Sequence, residues 1–385
     1  MIQTAFPYIA ILLFIASLLV YLEAQSKAKI FEVLPAIVIL YFTVMTLSSI
    51  ELWVKTEEIN SSYKSFKSNL LPAMIFLMLL QTDIRNILKL GKKILLTFFL
   101  ASLSISLGFI IMFALLHNFF EDEAWKAFGA LSGSWMGGTG NMVAIQSALE
   151  LPDGKMGYVL LIDSIDYAIW VMILLALVPF ASRFNQWTKT DGSVLKTLTE
   201  KLNSEKKEPI HFPSLFMLLG LALMVSVLSQ EIATALPTTT FLTQTTWVVL
   251  FATITGIGFG MTPLSRHSSA SALANIMLYL IVALIASRAN FSELTQAPLY
   301  IMAGFIIILI HGLIMVIFAK LFKLDLFSLG VASLANIGGV ASAPILAGAY
   351  HKALIPIGVL MAMMGYIIGT FMGLGVSKLL MIIAS

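Results

Sequence analysis

Two aspartates stand three residues apart in the apolar run LLIDSIDYAIW, Leu160–Trp170. On a helix, Asp163 and Asp166 share one face. A carboxylate at membrane depth is costly to ionise, and such a residue marks an ion or proton pathway by default. The same run holds no basic residue to neutralise the pair, so a bound cation or a proton is the expected partner. At a rise of about 1.5 Å per residue, Asp163 lies roughly 10 Å beyond Met156, and Asp166 lies deeper. The alternative puts Asp163 near a helix end, where water solvates it.

Just upstream, SGSWMGGTGN (Ser132–Asn141) interrupts an apolar segment where a spanning helix should continue. Backbone exposed at membrane depth is tolerated only inside protein or beside a watery cavity. Gly137, Gly138 and Gly140 allow a sharp reversal and a close main-chain approach. Ser132, Ser134, Thr139 and Asn141 offer neutral oxygens and hydrogen-bond donors. The N-terminus of a half-helix attracts carboxylates, and freed carbonyls suit Na⁺. A second such segment, GVASLANIGGVASAPILAGAYH from Gly330, supplies Ser333, Asn336, Gly338, Gly339, Ser342 and the breaker Pro344. Shifting the chain by 201 positions places Gly129, Ser132, Gly137, Gly138, Ala148 and Gly157 on Gly330, Ser333, Gly338, Gly339, Ala349 and Gly358. Close helix packing through small residues is the plainer reading. It explains the glycines and alanines but not Asn141 or Asn336. The positions matching Asp163 and Asp166 are Met364 and Ile367, so any cation site is asymmetric.

The elements that carry these residues are set by composition. Of 385 residues, 59% are hydrophobic and 11% charged, with mean hydropathy +0.95. A soluble domain carries about a quarter of its residues charged. Repeated apolar runs of about 20 residues predict spanning helices. The chain reads as an all-α polytopic membrane protein. Residues 2–23 lack a basic leading region and a cleavage site, and read as a first span. With no cysteine, disulfides, thiolate metal ligands and cysteine catalysis are excluded.

Ten segments read as spans: 5–23, 32–49, 68–82, 94–117, 156–180, 213–230, 245–261, 269–287, 297–319 and 354–381. The interrupted segments are 128–149 and 328–350. The polar stretch 182–212 holds too few apolar residues for a core and reads as a loop between a first repeat, 1–181, and a second, 213–385. Paired interrupted segments at matching places in two halves point to the binding site of a secondary transporter.

Lysine and arginine placement selects between two topologies. If the interrupted segments dip in and return, each half has about five crossings and the repeats are inverted. With the N-terminus outside, the 182–212 loop then faces the cytoplasm, and sixteen of the 23 basic residues lie inside. The outer seven are Lys55, Lys64, Lys67, Lys126, Lys155, Arg288 and Lys378. If every segment crossed, the six basic residues of the central loop would move outside, against the positive-inside tendency. The inverted arrangement is expected.

At these motifs the sequence resembles, over essentially its whole length, a bacterial membrane family known as domain of unknown function 819. More distantly it resembles the sodium/glutamate symporter and hydroxycarboxylate transporter families, within the superfamily of cation/proton antiporters and bile-acid symporters. In those symporters a Gly-Gly-x-Gly motif marks the tip of each re-entrant segment. Gly137-Gly138-Thr139-Gly140 matches it, and Gly338-Gly339-Val340-Ala341 departs at its last position. In the antiporters an acidic residue follows the broken helix, as Asp163 and Asp166 do here. The resemblance implies a mobile core, a scaffold used for homodimerisation, an elevator-like motion, and the bacterial cytoplasmic (inner) membrane.

The expected function is Na⁺- or H⁺-coupled secondary transport of a small anionic organic solute such as an amino acid, short peptide or carboxylate. The close alternative is cation/proton antiport. Expected partners are the solute and the lipid bilayer, with no nucleic acid and no cofactor beyond the coupling ion. No Walker motif is present, so this chain does not use ATP. An intramembrane protease would need a Gly-x-Ser-Gly or Gly-x-Gly-Asp motif, and neither occurs. No enzymatic activity is expected. A channel filter does not usually need two inverted interruptions. His311 reads as a packing residue, and the sides faced by Gln81, Asp83 and Asn275 are open.

Overall fold

The computed structural model describes residues 1–25, 35–190, 208–239, 242–289, 295–351 and 354–385. All regular structure among them is helical. The first half holds α1 (Ala5–Gln25), α2 (Ala36–Ser49), α3 (Glu57–Leu80), the short α4 (Ile84–Leu88), α5 (Gly91–Leu116), α6 (Ala124–Gly137), α7 (Thr139–Ala148), α8 (Met156–Leu177) and α9 (Ala181–Thr188). The second half holds α10 (Phe212–Thr234), α11 (Gln244–Gly260), α12 (Ser269–Ala286), α13 (Ala297–Phe322), α14 (Leu326–Ile337), α15 (Gly339–Tyr350) and α16 (Ile355–Ala384). Each half thus runs through three helices, a fourth long helix, a pair parted at a glycine, and a long final helix. Among the described residues seven helices are long and apolar enough to cross a membrane. The protein is an all-α polytopic membrane protein.

Each of the ten segments expected to span coincides with a helix. The third begins at Glu57 rather than at 68. The Thr56 hydroxyl accepts from the Ile59 amide at 3.3 Å, and Glu57 and Glu58 occupy the first turn, so a cap and favourable dipole charge extend the helix through polar sequence. Of the stretch 182–212, the first residues continue α9 and the last opens α10, while 191–207 lie outside the described residues.

The helices sort into two sets. In one, α3 packs against α10, α11 and α12, and α1 and α2 pack on α12. In the other, α6 lies along α16, α5 packs on α13 and α14, and α8 packs on α13 and α6. Contacts between the sets are sparser and run mainly from α7 and α16 to α3 and α11. Phe6, Phe14 and Tyr21 of α1, with Phe212, Phe216 and Met224 of α10, are exposed. Such apolar surface suits lipid.

Both interrupted segments fold back on themselves. A Cβ on Gly133 would meet the Ile145 side chain, and one on Gly129 would lie 2.9 Å from Leu149 Cδ1. Residues on either side of Gly138 therefore face each other, as they do in a hairpin. A Cβ on Gly330 would lie 3.2 Å from Leu346 Cδ2, which gives the second segment the same shape. The second glycine of each pair makes the turn: Gly138 has φ +83° and Gly339 φ +57°. Backbone at positive φ costs a side chain about 1–3 kcal/mol, and Gly138, with ψ 175°, lies where essentially only glycine is found. The α6–α16 contact is a seam of small residues. A Cβ on Gly369 would lie 2.6 Å from Gly137 Cα, and one on Gly373 3.0 Å from Gly133 Cα. Gly129, Gly133 and Gly137 recur every four residues, which lines one helix face for such an approach.

Candidate functional site

The two hairpin tips converge on α16. A Cβ on Gly365 would stand 3.2 Å from both Met136 O and Ala335 O, the closing carbonyls of α6 and α14. Next to it Tyr366 lines a cavity of about 300 Å³ between the two helix sets. From the tips come Thr139, Gly140 and Val340; from the other set come Met78, Gln81, Ser271, Asn275 and Leu278. Val359 and Met363 of α16 complete the lining. Thr139 and Gly140 open α7, and Val340 sits in the first turn of α15. First-turn N–H groups have no carbonyl within their own helix to reach, and they carry the positive end of its dipole. Two helix N-termini therefore border the cavity, beside a few neutral oxygens and an apolar wall. That chemistry suits a small anion with an apolar body.

The remaining residues singled out in the sequence serve other places. Ser132 Oγ donates to Gly129 O at 2.7 Å, within the α6–α16 seam. Gly137 packs against Gly365 O in that seam and does not make the turn. Asn141 is held by two bonds of 2.6 Å, its Nδ2 donating to Gly137 O and its Oδ1 accepting from Thr370. It braces the first tip and borders a narrow cleft beside the main cavity. Asn336 Oδ1 accepts from Ser102 at 2.7 Å, and Asn336 Nδ2 donates to Ala332 O at 2.9 Å. Ser333 Oγ accepts from Trp170 Nε1 at 2.8 Å and bonds His311 Nε2 at 2.8 Å, while His311 Nδ1 bonds Ser104 at 2.7 Å. Neither Asn336 nor Ser333 lines the cavity. A Cβ on Gly338 would meet Ser342 Oγ and the Tyr167 ring, so Gly338 and Ser342 lie against α8.

Helix α8 joins both hairpins. Asp163 Oδ1 accepts from Ser134 Oγ at 3.0 Å and from Trp135 Nε1 at 3.1 Å, tying α8 to the first hairpin. Tyr167 and Trp170 reach the second. Between them Asp166 is fully buried, and neither of its oxygens has a hydrogen-bond partner. It packs on Gly304 of α13, where a Cβ would collide with its carboxylate. An isolated buried charge costs several kcal/mol even after relaxation. Asp166 must therefore carry a proton or meet a cation whenever the fold adopts this arrangement. The two aspartates do not line the cavity. Among the described residues no cluster of three or more His, Asp or Glu side chains could hold a metal.

Sequence reasoning missed Met78, Ser271 and Leu278 in the wall opposite the tips, and Tyr366 beside them on α16. Gln81 and Asn275 stood out as intramembrane polar residues, and both line the cavity.

Similarity to other proteins agrees with this architecture. The chain is 26% identical over 332 residues to the uncharacterized membrane protein YjcL of Bacillus subtilis (strain 168), covering 81% of this chain and 82% of that protein. Residues 10–383 match the family described as protein of unknown function DUF819. With all but its ends matched, the chain belongs to the DUF819 family of membrane proteins.

Proposed function

We propose that this protein is a secondary transporter of a small anionic organic solute, driven by Na⁺ or H⁺. The reading rests on one observation above all: both hairpin tips border a single cavity on the seam between two helix sets. A solute held there touches both sets, so relative movement of the sets can change the face from which it is reached. The fold-back of both interrupted segments supports an inverted relation between the halves, and the placement of Lys and Arg supports an N-terminus outside and the 182–212 loop in the cytoplasm of a bacterial cell. Asp166, and Asp163 beside it, would carry the coupling ion, since a bare carboxylate cannot stay unpaired at that depth. Paired interrupted helices contributed by two halves are the recurring architecture of such sites.

Cation/proton antiport is the second reading. It is favoured by the separation of the aspartates from the cavity lining, which needs no organic solute to explain it.

A thermal-shift screen of purified protein against amino acids, short peptides and carboxylates, with and without Na⁺, tests the proposal. A ligand at about a hundred times its Kd adds roughly 2.7 kcal/mol, enough to stand out. Counterflow of the labelled hit in proteoliposomes then separates the readings. Exchange of solute supports transport, and cation-driven proton movement without any solute exchange supports antiport.

A further inference from the structure

A second cavity, of about 440 Å³, opens at the other end of the same seam, lined by Asn60, Tyr63, Lys64, Asp153, Gly154 and Arg288 among others. Asn60 and Met78, one from each cavity, both lie on α3. At 1.5 Å per residue they stand about 27 Å apart along it. Arg288 follows the C-terminal end of α12 while Ser271 lies in its first turn, so α12 places the two cavities in the same opposed way.

The charges here do not cancel. Lys67 pairs with Asp153 at 2.8 Å, and Tyr63 and Gln146 also donate to that carboxylate. Both oxygens of Asp153 are thereby engaged, and its charge is matched by Lys67. Arg288 and Lys64 have no acidic partner among the described residues. Arg288 is nevertheless held in place. Its guanidinium lies 4.4 Å from the Tyr63 ring centre, one terminal nitrogen donates to Asn60 Oδ1 at 2.5 Å and the other to Ile59 O at 3.5 Å, and its Nε is buried without a partner, so each terminal nitrogen keeps a second N–H. A fixed planar cation with spare donors matches the two oxygens of a carboxylate or phosphate, and a flexible lysine beside it adds a second point charge.

The geometry points to an anion-binding site at Arg288 and Lys64, on the opposite face from the cavity at the hairpin tips, which takes a carboxylate- or phosphate-bearing anion. Its role as a first capture point for solute rests on the transporter reading; its binding of anions does not.

Isothermal titration of the full-length protein in phosphatidylcholine nanodiscs tests this, with succinate and inorganic phosphate as probes. At least one probe is expected to bind. Arg288→Gln should weaken it by roughly tenfold, or ~1.4 kcal/mol, and Lys64→Gln by roughly threefold. Thr139→Val, at the other cavity, should leave this affinity unchanged. In nanodiscs containing phosphatidylglycerol, undiminished probe affinity assigns the site to a soluble anion, and competition assigns it to a lipid headgroup. No binding of either probe overturns the site, as does an affinity lost only in Thr139→Val. Lys64 is exposed, so its variant remains informative if Arg288→Gln fails to fold. Titration requires no transport, so failure of the transport reading leaves this result standing, and the reverse holds too.

Discussion

The main-chain oxygen of Gly365 lies 2.7 Å from where a Cβ on Gly137 would stand. The first hairpin thus meets α16 with no room for a methyl group, one residue before its turn. The second hairpin reaches the same glycine, where a Cβ would stand 3.2 Å from Ala335 O. Both tips therefore abut one helix, and the proposed transport would have them shift with it as a unit.

Gly137→Ala should therefore destabilise the protein by about 1–3 kcal/mol through overpacking. Gly220→Ala, where nothing lies within 4 Å of the added Cβ, should change little. Thermal melts in detergent compare the two. Equal melting temperatures would show that the seam yields.

Gly339 poses a different test, since its Cβ would meet nothing and only its φ of +57° matters. Gly339→Val should cost about 1–3 kcal/mol of backbone strain and impair transport. Gly339→Asn, which tolerates this region better, should retain more of both. Gly138→Val should impair transport at least as strongly, since Gly138 has ψ 175° and a Cβ there would lie 3.4 Å from the Tyr366 ring. If the valine and asparagine variants at 339 behave alike, the turn geometry is not what glycine provides there.

Asp166→Asn keeps the size of the side chain and removes its charge. Uptake driven by an ion gradient should fall to the level without a gradient, and the ion's effect on thermal stability should vanish with it. If Na⁺ and a proton share this carboxylate, the wild type should bind Na⁺ more weakly as pH falls. Asp163→Asn should show a milder effect, because Ser134 and Trp135 already share one of its oxygens. Full ion-driven uptake by a folded Asp166→Asn protein would remove this residue from the mechanism.

Topology can be read with single thiols, since the chain has no cysteine. Gln186→Cys and Asp122→Cys both change exposed positions. In intact cells an impermeant thiol reagent should label the second and not the first. Labelling of both would overturn the inverted arrangement.

Much of the fold was legible because apolar runs and their interruptions are local signals. The Gly-Gly pairs located both turns, and the aspartates of α8 announced themselves by charge alone. The site was only half legible. Thr139 and Gly140 border the cavity, whereas Ser333 and Asn336 spend their polarity on His311, Trp170 and Ser102 inside the helix packing. Nothing in the local sequence separates an asparagine that faces a cavity from one that satisfies a neighbouring serine. Met78 and Tyr366 were invisible for the same reason: they line the cavity through tertiary packing, and their types are ordinary for a buried helix.

The most direct measurement places a thiol at the first tip. In a Thr139→Cys protein that still binds solute, the labelling rate is followed from each face of oriented vesicles under opposite ion gradients. Alternating access predicts that the introduced thiol reacts from one face under one gradient and from the other face under its reverse, and that solute protects it from both. Reaction from a single face whatever the gradient would contradict the account and leave the cavity a fixed pocket.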